Sequence, residues 1–289
     1  VEEATFDSFK GIDIALFAGG SISKDFAPHA VKAGAVVIDN SSAFRMDPEV
    51  PLVVPEVNPQ AILKHKGIIA NPNCSTIIMV MALKPIYDLA KIKRVIVSTY
   101  QAVSGAGKEG IDELDAQVRD HSEGREMTAN ILPSASAEKH YPIAFNLIPQ
   151  IDVFCDNLYT KEEMKMVNET KKIMEDYEMR ITATTIRVPV YRSHSESVNI
   201  ELEKEVDLGA MREALAKFPG VTVQDDPSKQ EYPMPLYTSE KDDVYVGRLR
   251  RDESCEKSYN IWVVGDQIRK GAALNTLQIA ETMIKNGWI

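Results

Sequence analysis

The chain has 289 residues, 43 acidic side chains against 33 basic ones for a formal charge of −10, and 44% apolar content. This composition excludes a disordered tail, a collagen-like fibre and a small disulfide scaffold, and at about 100 to 200 residues per domain the length predicts two lobes, each with its own core. The acidic balance argues against nucleic acid or an anionic membrane as partner and favours small molecules.

Residues 12–18 form a short apolar run ending in Gly19-Gly20-Ser21, followed by a helical stretch at 27–32. A second run, 35–38, ends in Asp39-Asn40-Ser41-Ser42. Two buried strands that each lead into small polar residues predict a doubly wound parallel α/β sheet, which takes ligands at those strand ends. A third strand, 67–70, runs into Asn71-Pro72-Asn73-Cys74-Ser75-Thr76 and then into 77–83, which is apolar on nearly every side. That pattern predicts a buried helix capped by Asn73 or Ser75, with Pro85 ending or kinking it.

Residues 94–103 alternate as a strand, and 109–119 read as a helix beyond the loop Ser104-Gly105-Ala106-Gly107-Lys108. Thr160 to Glu163 matches a capping box. In the helix it opens, Met164, Val167, Thr170, Ile173, Met174 and Tyr177 form the apolar side, and Glu162, Lys165, Glu169 and Lys172 lie opposite. Residues 180–190, 196–202, 244–251 and 259–264 read as strands of a substantial sheet, and 272–286 as an amphipathic helix. No repeat or long linker divides the chain, so the lobes are expected to pack closely.

The most apolar run falls far short of the about 20 residues that cross a bilayer, and the acidic start Val1-Glu2-Glu3 is unlike a signal peptide. Cys74, Cys155 and Cys255 form no CxxC pair. Neither a disulfide framework nor a metal site is indicated, and a reducing cytoplasm fits best.

A thiol becomes reactive when a helix N-terminus raises its thiolate fraction, and Cys74 has that placement. An arbitrary cysteine is more often an inert buried thiol, but the position after Asn-Pro-Asn and before a covered helix sets Cys74 apart from Cys155 and Cys255. Among His29, His65, His121, His140 and His194, the last follows a strand containing Arg187 and turns beyond Pro189. Arg187 and His194 can therefore face one cleft, although a solvated loop histidine is the commoner reading of such a residue. Glu162 and Lys165, three apart, read on spacing alone as an exposed ion pair contributing less than about 1 kcal/mol.

Four strings in order, Asn71-Pro72-Asn73-Cys74-Ser75-Thr76, Tyr100 to Gly107, Arg187-Val-Pro-Val with His194, and Lys270-Gly271-Ala272-Ala273-Leu274-Asn275, resemble the aspartate-β-semialdehyde dehydrogenase family over residues 10–289. The resemblance implies a partial Rossmann-type nucleotide-binding lobe, residues 1–73 and 268–289, and a catalytic and dimerisation domain with a large mixed sheet, residues 74–267. It implies NADPH-dependent reductive dephosphorylation of β-aspartyl phosphate to aspartate semialdehyde, within lysine, threonine and methionine biosynthesis, by a homodimer or tetramer.

In that family reading Cys74 attacks the acyl carbon, expels phosphate and forms a thioester that hydride reduces. His194 takes the thiol proton and then serves the hemiacetal oxygen, and Gln101 orients the reacting group. Arg187 binds the carboxylate, Arg45 the phosphate with Lys165 and Asn73 assisting, and Glu162 the ammonium. Gly19, Gly20, Ser21, Asn40, Ser104, Gly105 and Asn275 are the candidates for NADP(H), while on the residues alone the glycines are as well read as plain turns.

The family's opening G-x-x-G-x-x-G turn has no counterpart before residue 12, which predicts an N-terminally incomplete first lobe and weak anchoring of the cofactor pyrophosphate. Three other readings share some of these residues: an N-acetyl-glutamyl-phosphate reductase, a catalytically silent dimerisation module, and a cysteine hydrolase that would leave Arg45 and Asn275 without a role.

Overall fold

The computed structural model describes residues 2–289 and folds around two sheets. Strands β1 (Ile14–Phe17), β2 (Val36–Asp39) and β3 (Ile68–Ala70) pair in parallel in that order, with α1 (Ser23–Lys32) crossing between the first two. Val37, Ile38, Ile69 and Ala70 are fully buried, the unbroken apolar run that a sheet covered on both faces requires. Ala27 and Ala30 of α1 pack with Ala15 and Val37. Ile279, Ala280 and Met283 of the last helix pack with Ile38 and Ile69.

Directly after β3 comes α2 (Cys74–Leu89). Residues 77–83 are at most 1% exposed, so this helix is surrounded by protein. Its cap is Asn73, whose side chain accepts the Thr76 N–H, whereas the Ser75 hydroxyl is buried with no partner among the described residues. Pro85 does not end the helix, which continues to Leu89 in a setting where packing outweighs one lost backbone bond.

The second sheet is mixed. Its strands are β4 (Ile92–Gln101), β5 (Arg180–Arg187), β6 (His194–Leu202), β7 (Val221–Val223), β8 (Val244–Arg251) and β9 (Ser258–Gly265). Their spatial order is β5-β4-β6-β9-β8-β7, parallel at β4–β5 and β7–β8 and antiparallel elsewhere. The helices α3 (Lys108–Ser122), α4 (Lys161–Ile173), α5 (Leu208–Lys217), α6 (Pro235–Thr238) and α7 (Leu274–Asn286) complete the chain, α7 being preceded by a π-helical turn at Arg269–Ala273.

Val95, Val97, Thr99 and Gln101 are buried on one face of β4. Ile96, Ser98 and Tyr100 alternate onto the other face, where Tyr100 meets Trp262 and both stay half-exposed. Among the described residues no helix is long and apolar enough to cross a membrane.

Two strand limits shape the site. β5 stops at Arg187, where Val188 and Pro189 turn the chain, and β6 begins at His194, which makes that histidine a strand residue and not a loop residue. The elements α5, β7 and α6 have no counterpart in the sequence reading; β7 spans three residues and α6 four, too short to show a period.

Candidate active site

Arg187, Gln101 and His194 stand side by side on three neighbouring strands. Gln101 ends β4 opposite Arg187 at the end of β5, and His194 opens β6 on the other flank. The first turn of α2 lies over this row and brings Cys74 Sγ to 3.5 Å from His194 Nε2. Two glycines permit the approach. At Gly265, paired with His194, a Cβ would lie 3.0 Å from Ile78 Cγ1, and at Gly271 it would lie 3.0 Å from the Cβ of Cys74.

His194 is wholly buried, and its Nδ1 accepts the backbone N–H of Ala102 at 3.0 Å. The neutral ring therefore carries its proton on Nε2, directed at the sulfur. Burial, reinforced by the Arg187 charge, holds the imidazole well below its usual value, so it is neutral at pH 7. In this tautomer the nitrogen facing Cys74 already carries a proton.

The expected acidity of Cys74 is corrected. The thiol retains some accessible surface yet is enclosed by protein, and burial, seconded by Glu162, pushes it up from 9.0 to about 12. Arg45, Arg187 and the Ser75 N–H pull the other way without prevailing. A helix N-terminus contributes about 1 kcal/mol, which burial here exceeds.

Arg187 is 3% exposed. Its Nη1 donates to the Ala102 carbonyl at 2.7 Å, and among the described residues its Nε has no partner and it forms no ion pair. Burial lowers its affinity for the proton, with Glu162 and Cys74 acting in the opposite sense. A buried guanidinium with open donors is a site for a planar anion.

Glu162 is also buried, and its oxygens accept from Asn73 Nδ2 at 2.9 Å, Gln101 Nε2 at 3.1 Å and Lys165 Nζ at 3.1 Å. Burial opposes its charge, but Lys165 and these hydrogen bonds prevail and hold the carboxyl below its usual range. Lys165 is shared with Asp152 at 3.0 Å. Burial works against this ammonium, and the two carboxylates overcome it to raise its affinity for the proton.

The side of α4 expected to face solvent is thus the side that builds the site. Glu162 and Glu169 are buried, while Tyr177, expected among the apolar residues, is 68% exposed. The helix is fixed at its start by the capping box of Thr160 and Glu163, and Glu163 also accepts the Thr185 N–H of β5 at 3.0 Å.

Arg45 lies at the rim of this group with its donors partly spent, on the Asn71 carbonyl at 2.9 Å, the Asn40 carbonyl at 3.1 Å and Glu169 at 3.3 Å. Ala102, Asp152, Asn71 and Glu169 carry no role that the sequence alone points to. Glu169 showed only as one member of a charged stripe, and a backbone donor such as Ala102 leaves no residue-type signal.

Gly19, Gly20 and Ser21 are exposed at the C-terminal end of β1, and half-buried Asn40 stands at the end of β2. Gly20 has φ +64° and a Cβ on Gly19 would meet Ile22 Cγ2 at 2.7 Å, so the turn needs glycine for its own geometry. Open backbone at adjacent parallel strand ends fits a dinucleotide.

Three other cofactor candidates are placed differently. The Ser104 hydroxyl accepts from Gln267, and a Cβ on Gly105 would lie 2.7 Å from Arg187 Nη1, beside the reacting residues. Asn275 is wholly buried, its amide hydrogens spent on the Val53 carbonyl and Asn71 and its oxygen engaged by Lys270. These contacts tie α7 to the loop before Cys74.

Family models match the chain at residues 1–65, a semialdehyde dehydrogenase NAD binding domain, and at 83–270, a semialdehyde dehydrogenase dimerisation domain. The chain is 58% identical to the aspartate-semialdehyde dehydrogenase of Aquifex aeolicus, an alignment covering 98% of this chain and 82% of that protein. It is 54% identical to that of Bacillus subtilis, covering 99% and 83%. Among solved structures, aspartate semialdehyde dehydrogenase II from Vibrio cholerae, complexed with ASA, superposes with a TM-score of 0.91 at 46% identity, covering 99% of this chain and 82% of that one.

Proposed function

The chain belongs to the aspartate-semialdehyde dehydrogenase family of oxidoreductases, and from that premise we propose that Cys74 carries the acyl group of β-aspartyl phosphate as a thioester. The observation that carries this reading is the 3.5 Å approach of the Cys74 sulfur to a buried imidazole beside a buried guanidinium that forms no ion pair among the described residues. Arg187 receives the substrate α-carboxylate, Glu162 the ammonium, and Arg45, with Lys165 and Asn73 nearby, the phosphate. Gln101, held by Glu162 and by Thr99 at 3.2 Å, orients the acyl carbon.

Sulfur attacks the acyl carbon as the bond to the phosphate oxygen breaks. The thiol proton leaves on the phosphate, which departs as its protonated dianion, since the His194 nitrogen that faces the sulfur already bears a proton. When bound at the Gly19 turn and Asn40, the nicotinamide cofactor, NADP(H) in this reading, supplies the hydride that reduces the thioester. His194 then donates a hydrogen bond from Nε2 to the oxygen that becomes anionic, the carbon–sulfur bond breaks to release the aldehyde, and sulfur recovers a proton from water.

A blocked amine, as in N-acetyl-glutamyl phosphate, would leave the buried Glu162 charge without a cation from the substrate, which favours the free-amine substrate. The enzyme acts as a homodimer in this reading, with the uncovered face of the six-stranded sheet, around Tyr100, Ser197 and Trp262, meeting a second copy.

Intact-mass analysis after incubation with β-aspartyl phosphate in the absence of cofactor tests the proposal. One aspartyl adduct on Cys74 is expected, and an adduct on another residue, or none, overturns it.

A further inference from the structure

Glu169 is 1% exposed and uses its two oxygens on two distant parts of the chain. Oε2 accepts the backbone N–H of Asn73 at 2.6 Å, and Oε1 accepts Arg45 Nη1 at 3.3 Å. Asn73 precedes the nucleophile and caps its helix; Arg45 stands on the loop that follows β2 in the other sheet.

We propose that Glu169 is a positioning residue that sets the separation between Cys74 and the guanidinium receiving the leaving phosphate, an inference that rests on reading Arg45 as the phosphate binder.

Three features support it. First, the contacts of Arg45 with Asn71, Asn40 and Glu169 take three of its five N–H groups and leave two on its terminal nitrogens for an anion. The guanidinium is thus fixed and still able to bind. Second, Lys172, further along the same helix, clasps the Arg45 loop by donating to the carbonyls of Arg45 at 2.8 Å, Asp47 at 2.6 Å and Val50 at 2.8 Å. Helix α4 therefore grips the phosphate side while Glu163 anchors its first turn to β5 of the reacting row.

Third, Glu169 sits where an isolated carboxylate is costly. Burial raises its affinity for the proton, and Arg45 and the Asn73 N–H oppose that. A shift of about 1 Å between nucleophile and leaving-group binder costs about a hundredfold in rate, so a rigid carboxylate spanning both is well suited to the task.

The test compares Glu169→Gln, Glu169→Ala and Arg45→Ala in phosphate-dependent aldehyde oxidation by the whole protein. KM for phosphate, KM for aldehyde and kcat are measured together with the alkylation rate of Cys74 at a fixed alkaline pH and the melting temperature. Glu169→Gln keeps an acceptor for the Asn73 N–H but removes the charge from Arg45. KM for phosphate is expected to rise about tenfold while KM for aldehyde and Cys74 alkylation stay near wild type. Glu169→Ala loses both contacts, and kcat and the alkylation rate are expected to change as well.

Variants that lower only the melting temperature, with wild-type constants in the folded enzyme, overturn the proposal. So does a raised phosphate KM in Arg45→Ala with Glu169→Gln silent. If Arg45→Ala leaves the phosphate KM unchanged, the reading of Arg45 fails and takes this inference with it. The isosteric Gln variant decides the question if the Ala variant does not fold.

Discussion

The backbone amide of Ala102 donates to Nδ1 of His194 at 3.0 Å and thereby selects which ring nitrogen faces the nucleophile bearing a hydrogen. In 15N-labelled protein, His194 is expected to show a directly bonded proton on Nε2 and an unprotonated Nδ1 at neutral pH. Glutamine at 194 offers a donor at a similar reach but takes up no proton, so His194→Gln should retain at least about tenfold more turnover than His194→Ala. Equal loss in the two variants would show that proton uptake by the ring is required.

The raised Cys74 thiol makes the ligand-free enzyme slow to alkylate. At pH 7, iodoacetamide should modify exposed Cys255 ahead of Cys74, and the Cys74 rate should climb about tenfold per pH unit between pH 8 and 10 without levelling. A plateau near neutrality would mean that the thiolate forms there. Because the folded state raises this group above 9.0, its contribution to stability is complete below pH 9 and is lost as pH rises toward about 12. Thermal melts across that window should show the decline, and Cys74→Ala should remove that part of it.

Cys74→Ala is expected to abolish phosphate-dependent aldehyde oxidation, with Cys155→Ala retaining it. Steady-state assays of both variants check this, and full activity in the Cys74 variant would refute thioester chemistry at that position.

Gly105 borders the same cluster. A methyl there would press on Arg187 Nη1 at 2.7 Å and on His194 Cε1 at 3.2 Å, and Arg187 is tethered through that nitrogen to the Ala102 carbonyl. Gly105→Ala should lower kcat/KM for the aldehyde by about a hundredfold. A rise in the cofactor KM alone would instead return Gly105 to the nucleotide site.

Much of this site can be read in the chain because it is local. The Asn-Pro-Asn-Cys run ahead of a covered helix, the capping box at Thr160, and the existence of the strands carrying Gln101 and Arg187, though not where they end, announce themselves through residue type and period. What could not be read depends on partners far away in sequence. Period alone divides α4 into an apolar and a charged stripe, but whether Glu169 meets water or Arg45 is decided by the loop 124 positions earlier. The acidity of Cys74 misled for a related reason: a helix start can be seen in sequence, whereas the enclosure that outweighs it needs both sheets in place.

The charge-rich stripe of α4 has a practical consequence for anyone tailoring this protein for expression or crystal growth. Scored by composition, Glu162, Lys165, Glu169 and Lys172 look like dispensable decoration, the kind of residues that surface-entropy or supercharging campaigns replace first. Such an edit would spare every apolar side chain, and the product could stay well behaved in a bottle while having lost the bracket that keeps its two halves in working alignment.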